Sequence, residues 1–252
     1  MKVTKHGFLH QLAFMPRFFP VNCYLVEEEG ELTLIDAALP FSVKGILRTV
    51  ERIGKPLTRI VLTHAHGDHV GALDGLKQAL PQARVYISAR DTKLLAGSKE
   101  LEPDEPAGLP IKGDVPKAVR TRPDVLLQDG DRIGSLRAVA APGHTPGSMA
   151  FLDERSGALI AGDAFQVRGG LAVSGLMKPW FPFPAMATWS KDAALASAER
   201  LCALCPSLLA VGHGRLLPEP LPGLERALAE ARRAFGADQA AAVPNSPKNG
   251  QF

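Results

Sequence analysis

The chain has 252 residues, 46% of them hydrophobic and 22% charged, with a formal net charge of +3. That is the composition of a soluble globular protein, and its length suits one large domain with a sizeable core. The charge is small and no tract of Lys and Arg forms, which excludes nucleic acid as an expected partner, while the absence of any long apolar run excludes a membrane span.

The first twenty residues are interrupted by His6, His10, Gln11 and Arg17 and lack a small-residue cleavage site, so no signal peptide is expected. Three cysteines are too few for a disulfide framework and fit a reducing, cytoplasmic setting. Residues 6–14, 20–27 and 31–36 read as strands, the last two joined by a Glu-rich turn. Val43, Ile46, Leu47 and Val50 recur at helical spacing, predicting a helix over 41–53 that stops at Gly54. A strand over 58–63, a helix over 70–80 closed by Pro81, a strand over 84–88 and a short helix over 89–96 follow. Such alternation indicates sheets covered by helices.

Residues 97–124, rich in Pro, Gly, Lys and Asp, read as a long irregular connection and a candidate wall of a site. Strands are expected at 133–140, 149–154 and 157–162, then a second irregular stretch over 164–187. A helix over 189–204, a strand over 208–212 and a helix over 222–235 complete the elements. Cys202 and Cys205 form a C-x-x-C in Ala-rich helical sequence and read as buried helix residues rather than a redox or metal pair. The tail from Gln239 is expected to be flexible, leaving one domain over residues 1–238.

The chemistry concentrates in Thr63-His-Ala-His-Gly-Asp-His69, which follows the apolar run Ile60-Val61-Leu62. His64, His66, Asp68 and His69 offer the imidazole and carboxylate groups that zinc and similar divalent metals take. An N-cap role would explain Asp68 alone but not three histidines beside it. His144, Asp163 and His213 each follow an apolar strand and a glycine, an arrangement that turns a side chain out at a sheet edge. Seven such groups exceed one tetrahedral zinc and suit two metals with open positions. His6 and His10 read as ordinary strand residues.

These elements, with Asp36 after Leu32-Thr-Leu-Ile35, resemble those of the metallo-β-lactamase superfamily in type and order over roughly residues 20–215. The resemblance implies an α/β (α+β) fold, a four-layer αββα sandwich with two divalent metal ions at one edge. Zinc is the first expectation, with iron and manganese as alternatives. It further implies that His64, His66 and His144 hold one metal, that Asp68, His69 and His213 hold the other, and that Asp163 bridges both. Asp36 would orient a ligand histidine or simply shape the turn. Thr145 and Ser148 would steady the His144 loop or, equally, only form its turn.

The activity implied is hydrolysis of a small-molecule ester, thioester or lactone by water activated at the metals, with Asp68 also passing a proton to the leaving group. Asp163 sets the chain apart from true β-lactamases, which leaves β-lactam hydrolysis as a side activity, and points to the lactonase and glyoxalase-II-like branches. The sequence after residue 215 offers one helix and a tail, not the glyoxalase helical domain. Tyr24 and Tyr86 lie outside the region where lactonases carry a tyrosine, and His66 stands where oxygen-reducing diiron relatives have glutamate. A mononuclear iron sulfur dioxygenase shares the histidine motif and is the alternative. Trp180, Phe181, Phe183 and Met186, with Phe14, Met15, Phe18 and Phe19, suit an apolar substrate pocket. The same side chains would equally suit core or the contact of a homodimer.

Overall fold

The side chains of β3 (Val21–Glu27) alternate between two cores, and that alternation sets the layering. Cys23 and Leu25 point into a core with Ile46 and Leu76, while Tyr24 and Val26 point the other way, into a core with Phe151 and Ile160. The computed structural model describes residues 1–117 and 119–242.

In the first sheet β1 (Lys2–His6), β2 (Leu9–Phe14), β3 and β4 (Leu32–Ile35) form an antiparallel meander. From β4 the sheet turns parallel through β5 (Leu57–Val61), β6 (Arg84–Ser88) and β7 (Val125–Leu127). Parallel neighbours need crossovers. These are α1 (Val43–Ile53), then α2 (Gly67–Val70) with α3 (Leu73–Ala79), then α4 (Asp91–Leu95) with the irregular stretch after it.

The second sheet has the order β15-β14-β11-β10-β9-β8. It comprises β8 (Arg132–Ile133), β9 (Leu136–Ala140), β10 (Met149–Asp153), β11 (Ala158–Ile160), β14 (Leu208–Ala210) and β15 (Leu217–Pro218). Only β11 and β14 pair in parallel. Between them run the ribbon β12 (Phe165–Gln166) and β13 (Ala172–Val173), α5 (Phe183–Ala187) and α6 (Lys191–Ala203). The helix α7 (Leu221–Ala242) follows β15.

Three cores separate four layers. One lies between the first sheet and its helices, one between the sheets, and one where Ala198, Leu201, Leu224 and Leu228 of α6 and α7 cover the second sheet. The αββα sandwich expected from the sequence is therefore the fold. Phe151, fully buried between the sheets, marks their dependence on each other. Truncating such a residue to Ala costs about 3–5 kcal/mol.

Several boundaries differ from expectation. The strand expected over 6–14 is a hairpin that turns at Gly7, whose φ of 55° suits glycine. The helix expected over 70–80 is α3 from Leu73, and a separate short helix, α2, starts at Gly67 inside the His/Asp motif. The stretch 164–187 contains a two-strand ribbon and a short helix. The last helix runs to Ala242 rather than to 235, and the tail expected from Gln239 lies, from residue 243 on, outside the described residues. Cys202 is half-buried and Cys205 is exposed beyond the helix end, not buried as expected. No described helix is long and apolar enough to cross a membrane.

Candidate metal centre

Five strand ends deliver the functional groups to one edge of the sandwich. β4 leads to Asp36, β5 to the His64–His69 motif, β9 to His144, β11 to Asp163 and β14 to His213. In open α/β sheets this edge, outside the carboxyl ends of parallel strands, is where ligands bind. The motif is helical from Gly67, which puts Asp68 and His69 on one turn behind His66. His66 Nδ1 lies 2.9 Å from His144 Nε2. His213 Nε2 lies 3.3 Å from Asp68 Oδ2 and 3.1 Å from Asp163 Oδ2. Asp163 also reaches His69 Nε2 and His144 Nε2, each at 3.5 Å. The atoms form three groups, each within 4.8 Å: His64, His66 and His144; Asp68, His69 and His213; and His64, His69 and Asp163.

The outward nitrogen of every ring is already engaged. His69 Nδ1 donates to Asp36 Oδ2 at 2.8 Å, His213 Nδ1 to the Pro20 carbonyl at 2.7 Å, and His66 Nε2 to the Lys112 carbonyl at 3.1 Å. Thr63 Oγ1 donates to Asp36 Oδ2, so it accepts from His64 Nδ1 at 3.0 Å. Thr188 Oγ1 donates to the Pro184 carbonyl, which lets Ser174 donate to Thr188 and accept from His144 Nδ1 at 3.1 Å. In its neutral form each ring then turns a lone pair inward. Two such lone pairs face each other between His66 and His144, a contact that repels unless a cation sits between them. His64 Nε2, His69 Nε2 and Asp163 Oδ1 are buried with no hydrogen-bond partner among the described residues. Buried polar atoms are rarely left so. Orphaned atoms, inward lone pairs and an N/O donor set together fit divalent metal ions.

Burial disfavours the charged form of every ring here. It prevails at His64 and His66, both lowered, and at His144, lowered to about 3. At His69 burial is outweighed by Asp163, Asp36 and Asp68, which raise the ring to about 9. At His213 burial is likewise outweighed, chiefly by Asp163, and the ring rises well above its usual value. Burial opposes ionisation of Asp68 and Asp163 too, but His69 and His213 hold both below the ordinary carboxylate range.

Residues not singled out by sequence brace the centre. Asp91, fully buried, accepts from Ala65 N at 3.0 Å, Gly147 N at 2.8 Å and Thr145 Oγ1 at 2.8 Å, so one carboxylate ties the His64–His66 loop to the His144 loop. Thr145 and Ser148 bond each other and Thr145 also bonds Asp91, but neither bonds the His144 ring. Asn22 and Tyr24 bond the Val211 carbonyl, and Asn22 with Gln11 the Gly214 carbonyl, fixing the His213 loop from the facing sheet. Gly113, at φ 81°, lies so close over His66 that a Cβ would strike the ring. Gly212 is tight for the same reason, a Cβ there meeting Asp163 and His69.

A cavity of about 740 Å³ opens over the cluster, lined by His66, Asp68, His144, Asp163 and His213 at its floor. Gly113, Asp114, Pro116, Lys117 and Val119 form part of one wall, and Phe19, Phe183 and Met186 line another. Phe181 is buried behind this wall, packed on Phe19 and Phe183. Trp180 was expected in the pocket but is 89% exposed and does not line it, because its turn directs it outward. Phe14, Met15 and Phe18 do not line it either.

A two-sheet sandwich with a buried histidine and aspartate cluster at this edge is the arrangement of the metallo-β-lactamase fold. The model of the metallo-beta-lactamase superfamily matches residues 16–213, and the chain belongs to that superfamily. It is 58% identical over 233 residues to "Uncharacterized protein YobT" of Bacillus subtilis (strain 168), covering 92% of this chain and 100% of that one. It is 29% identical over 229 residues to "Probable metallo-hydrolase YflN" of the same organism, covering 83% of each. Among solved structures it resembles TTHA1623, crystallised in a di-iron-bound form, with TM-score 0.61 and 29% identity over 84% of this chain and 95% of that one.

Proposed function

We propose that the protein is a dinuclear metal-dependent hydrolase of an ester, thioester or lactone. The observation that carries this reading is the set of five histidines whose outward nitrogens are all engaged, facing Asp68 and Asp163 inward. His64, His66 and His144 would hold one ion, Asp68, His69 and His213 the other, and Asp163, which reaches rings of both groups, would serve both. A name given to one relative, a metallo-hydrolase, and a di-iron form of another support the reading. Divalent ions at such a centre supply Lewis-acid polarisation of a carbonyl and an activated water.

The chain's own residues have distinct parts. Asp36 and Thr63 hold the His64 and His69 rings in one orientation. Asp163 has a side chain only 4% exposed and is enclosed among the rings, whereas Asp68, at 24%, opens to the cavity. On this reading Asp68, held ionised and more open to the cavity, would take a proton from the attacking water and pass it to the leaving group. Phe19 and Phe181 pack against His213 with ring centres 5.3 and 5.4 Å away and shield it from water. Zinc is favoured by the donor set, with iron or manganese as alternatives. The sulfur dioxygenase alternative needs one ion, and the complete second group around His213 weighs against it.

The test is a hydrolysis panel of esters, thioesters, lactones and lactams with protein loaded with zinc, iron or manganese. Hydrolysis that a chelator abolishes and added metal restores is expected. Loaded protein that is inactive across the panel, or that takes up oxygen with a persulfide, overturns the reading.

A further inference from the structure

We propose that the site selects substrates by a neutral, apolar acyl chain seated against Phe19, Phe183 and Met186, an inference that rests on the hydrolase reading above. Apart from the histidines and aspartates of the centre, the cavity walls are mainly aliphatic and aromatic, and the other charged lining groups among the described residues are Asp74, Asp114 and Lys117. Asp74 is occupied, accepting from Thr121 N and Oγ1 and from Arg120 N. A lone lysine does not make the multi-cation cradle that a phosphate-rich or dicarboxylate headgroup requires. The cavity therefore reads shape and apolarity, not charge.

The apolar wall is continuous with the centre. Phe19 lies 5.1 Å from Phe183 and 5.1 Å from Phe181 between ring centres, and Phe19 and Phe181 both back onto His213. A carbonyl at the floor would thus carry its chain directly along this wall. At the mouth Phe183 and Met186 remain 52% and 62% exposed, apolar area that a bound chain would take from water. Each CH₂ so buried stabilises binding enough for about a fourfold gain per carbon. A volume of about 740 Å³ is in the range of sites that enclose most of a small ligand.

Two measurements test this on metal-loaded protein: kcat/KM along a straight-chain ester and thioester series from acetyl to octanoyl, and calorimetric binding of the matching n-alkanoates. The expected result is a rise of about fourfold per CH₂ in both. Phe183→Ala, and Met186→Glu at the exposed mouth where folding is not at stake, should compress the octanoyl-to-acetyl ratio at least tenfold. Turnover with no dependence on chain length, or the same ratio in both variants, overturns the acyl seat and leaves the hydrolase reading standing. Graded alkanoate binding without turnover of any ester, thioester or lactone keeps the seat and overturns the hydrolase reading. Flat binding without turnover overturns both.

Discussion

The carbonyl oxygen of Lys112 lies 3.1 Å from His66 Nε2 and accepts its proton. A backbone atom from the irregular stretch between α4 and β7 thus fixes which nitrogen of His66 faces the centre. The same stretch supplies Gly113, Asp114, Pro116 and Lys117 to the cavity wall, so one segment both orients a metal-competent ring and shapes the pocket above it.

Gly113 is the residue that permits this approach. At φ 81° and in contact with the His66 ring, it has no room for a Cβ. Gly113→Ala should displace His66, lowering affinity at the His64–His66–His144 group by about 10–100-fold and stability by about 1–3 kcal/mol. Competition with a chelator reads the first effect and thermal unfolding the second. Affinity equal to wild type would show that the carbonyl contact is dispensable.

Asp91 makes a second prediction. Asparagine keeps one acceptor oxygen and turns an N–H₂ toward donors, so Asp91→Asn breaks the tie between the two histidine loops. Metal affinity should fall by about 10–100-fold although Asp91 touches no ligand ring. Burial raises its carboxyl to about 6, against hydrogen bonds from Thr145, Ala65 and Gly147 that lower it. A carboxyl raised on folding binds its proton more tightly in the folded state, so its contribution to stability is lost as pH rises from about 4 to about 6. The difference in unfolding free energy between metal-free wild type and Asp91→Asn should shift over that window, as denaturant titrations at a series of pH values would show.

The two groups of histidines should load differently with pH. His144, lowered to about 3, and His64, also lowered, are neutral at physiological pH and need lose no proton. His69, raised to about 9, and His213, raised as well, are protonated without metal and must give up protons to bind it. Below pH 9 apparent affinity at the second group should fall about tenfold per pH unit for the His69 proton alone. Dialysis at pH 6 should therefore strip the second group before the first. Metal content per chain at pH 6 and pH 8 checks this, and equal loss from both groups would contradict it.

The centre was legible in sequence where its chemistry is written in side chains. His64, His66, Asp68 and His69 are adjacent in the chain, and His144, Asp163 and His213 each follow an apolar strand and a glycine. The layered fold was legible in the alternation of strands with helices, and the αββα sandwich in the resemblance that the ligand elements carry. The braces were not legible. Two are backbone carbonyls, of Lys112 and Pro20, which carry no residue identity. Asp91 at the start of a short helix resembles an ordinary first-turn acid, and only the three-dimensional approach of Ala65 and Gly147 reveals its part. Aromatic content marked the stretch around Trp180 correctly as apolar, but the direction of a turn decided that Phe183 faces the cavity and Trp180 does not.

The central claim is a centre for two metal ions shared between two histidine groups. Its most direct test is metal content per chain, measured by mass spectrometry after loading and desalting at pH 8, for wild type, His66→Ala and His213→Ala. Two ions in the wild type and about one in each variant is the expected result. One ion in the wild type, unchanged by His213→Ala, would contradict it.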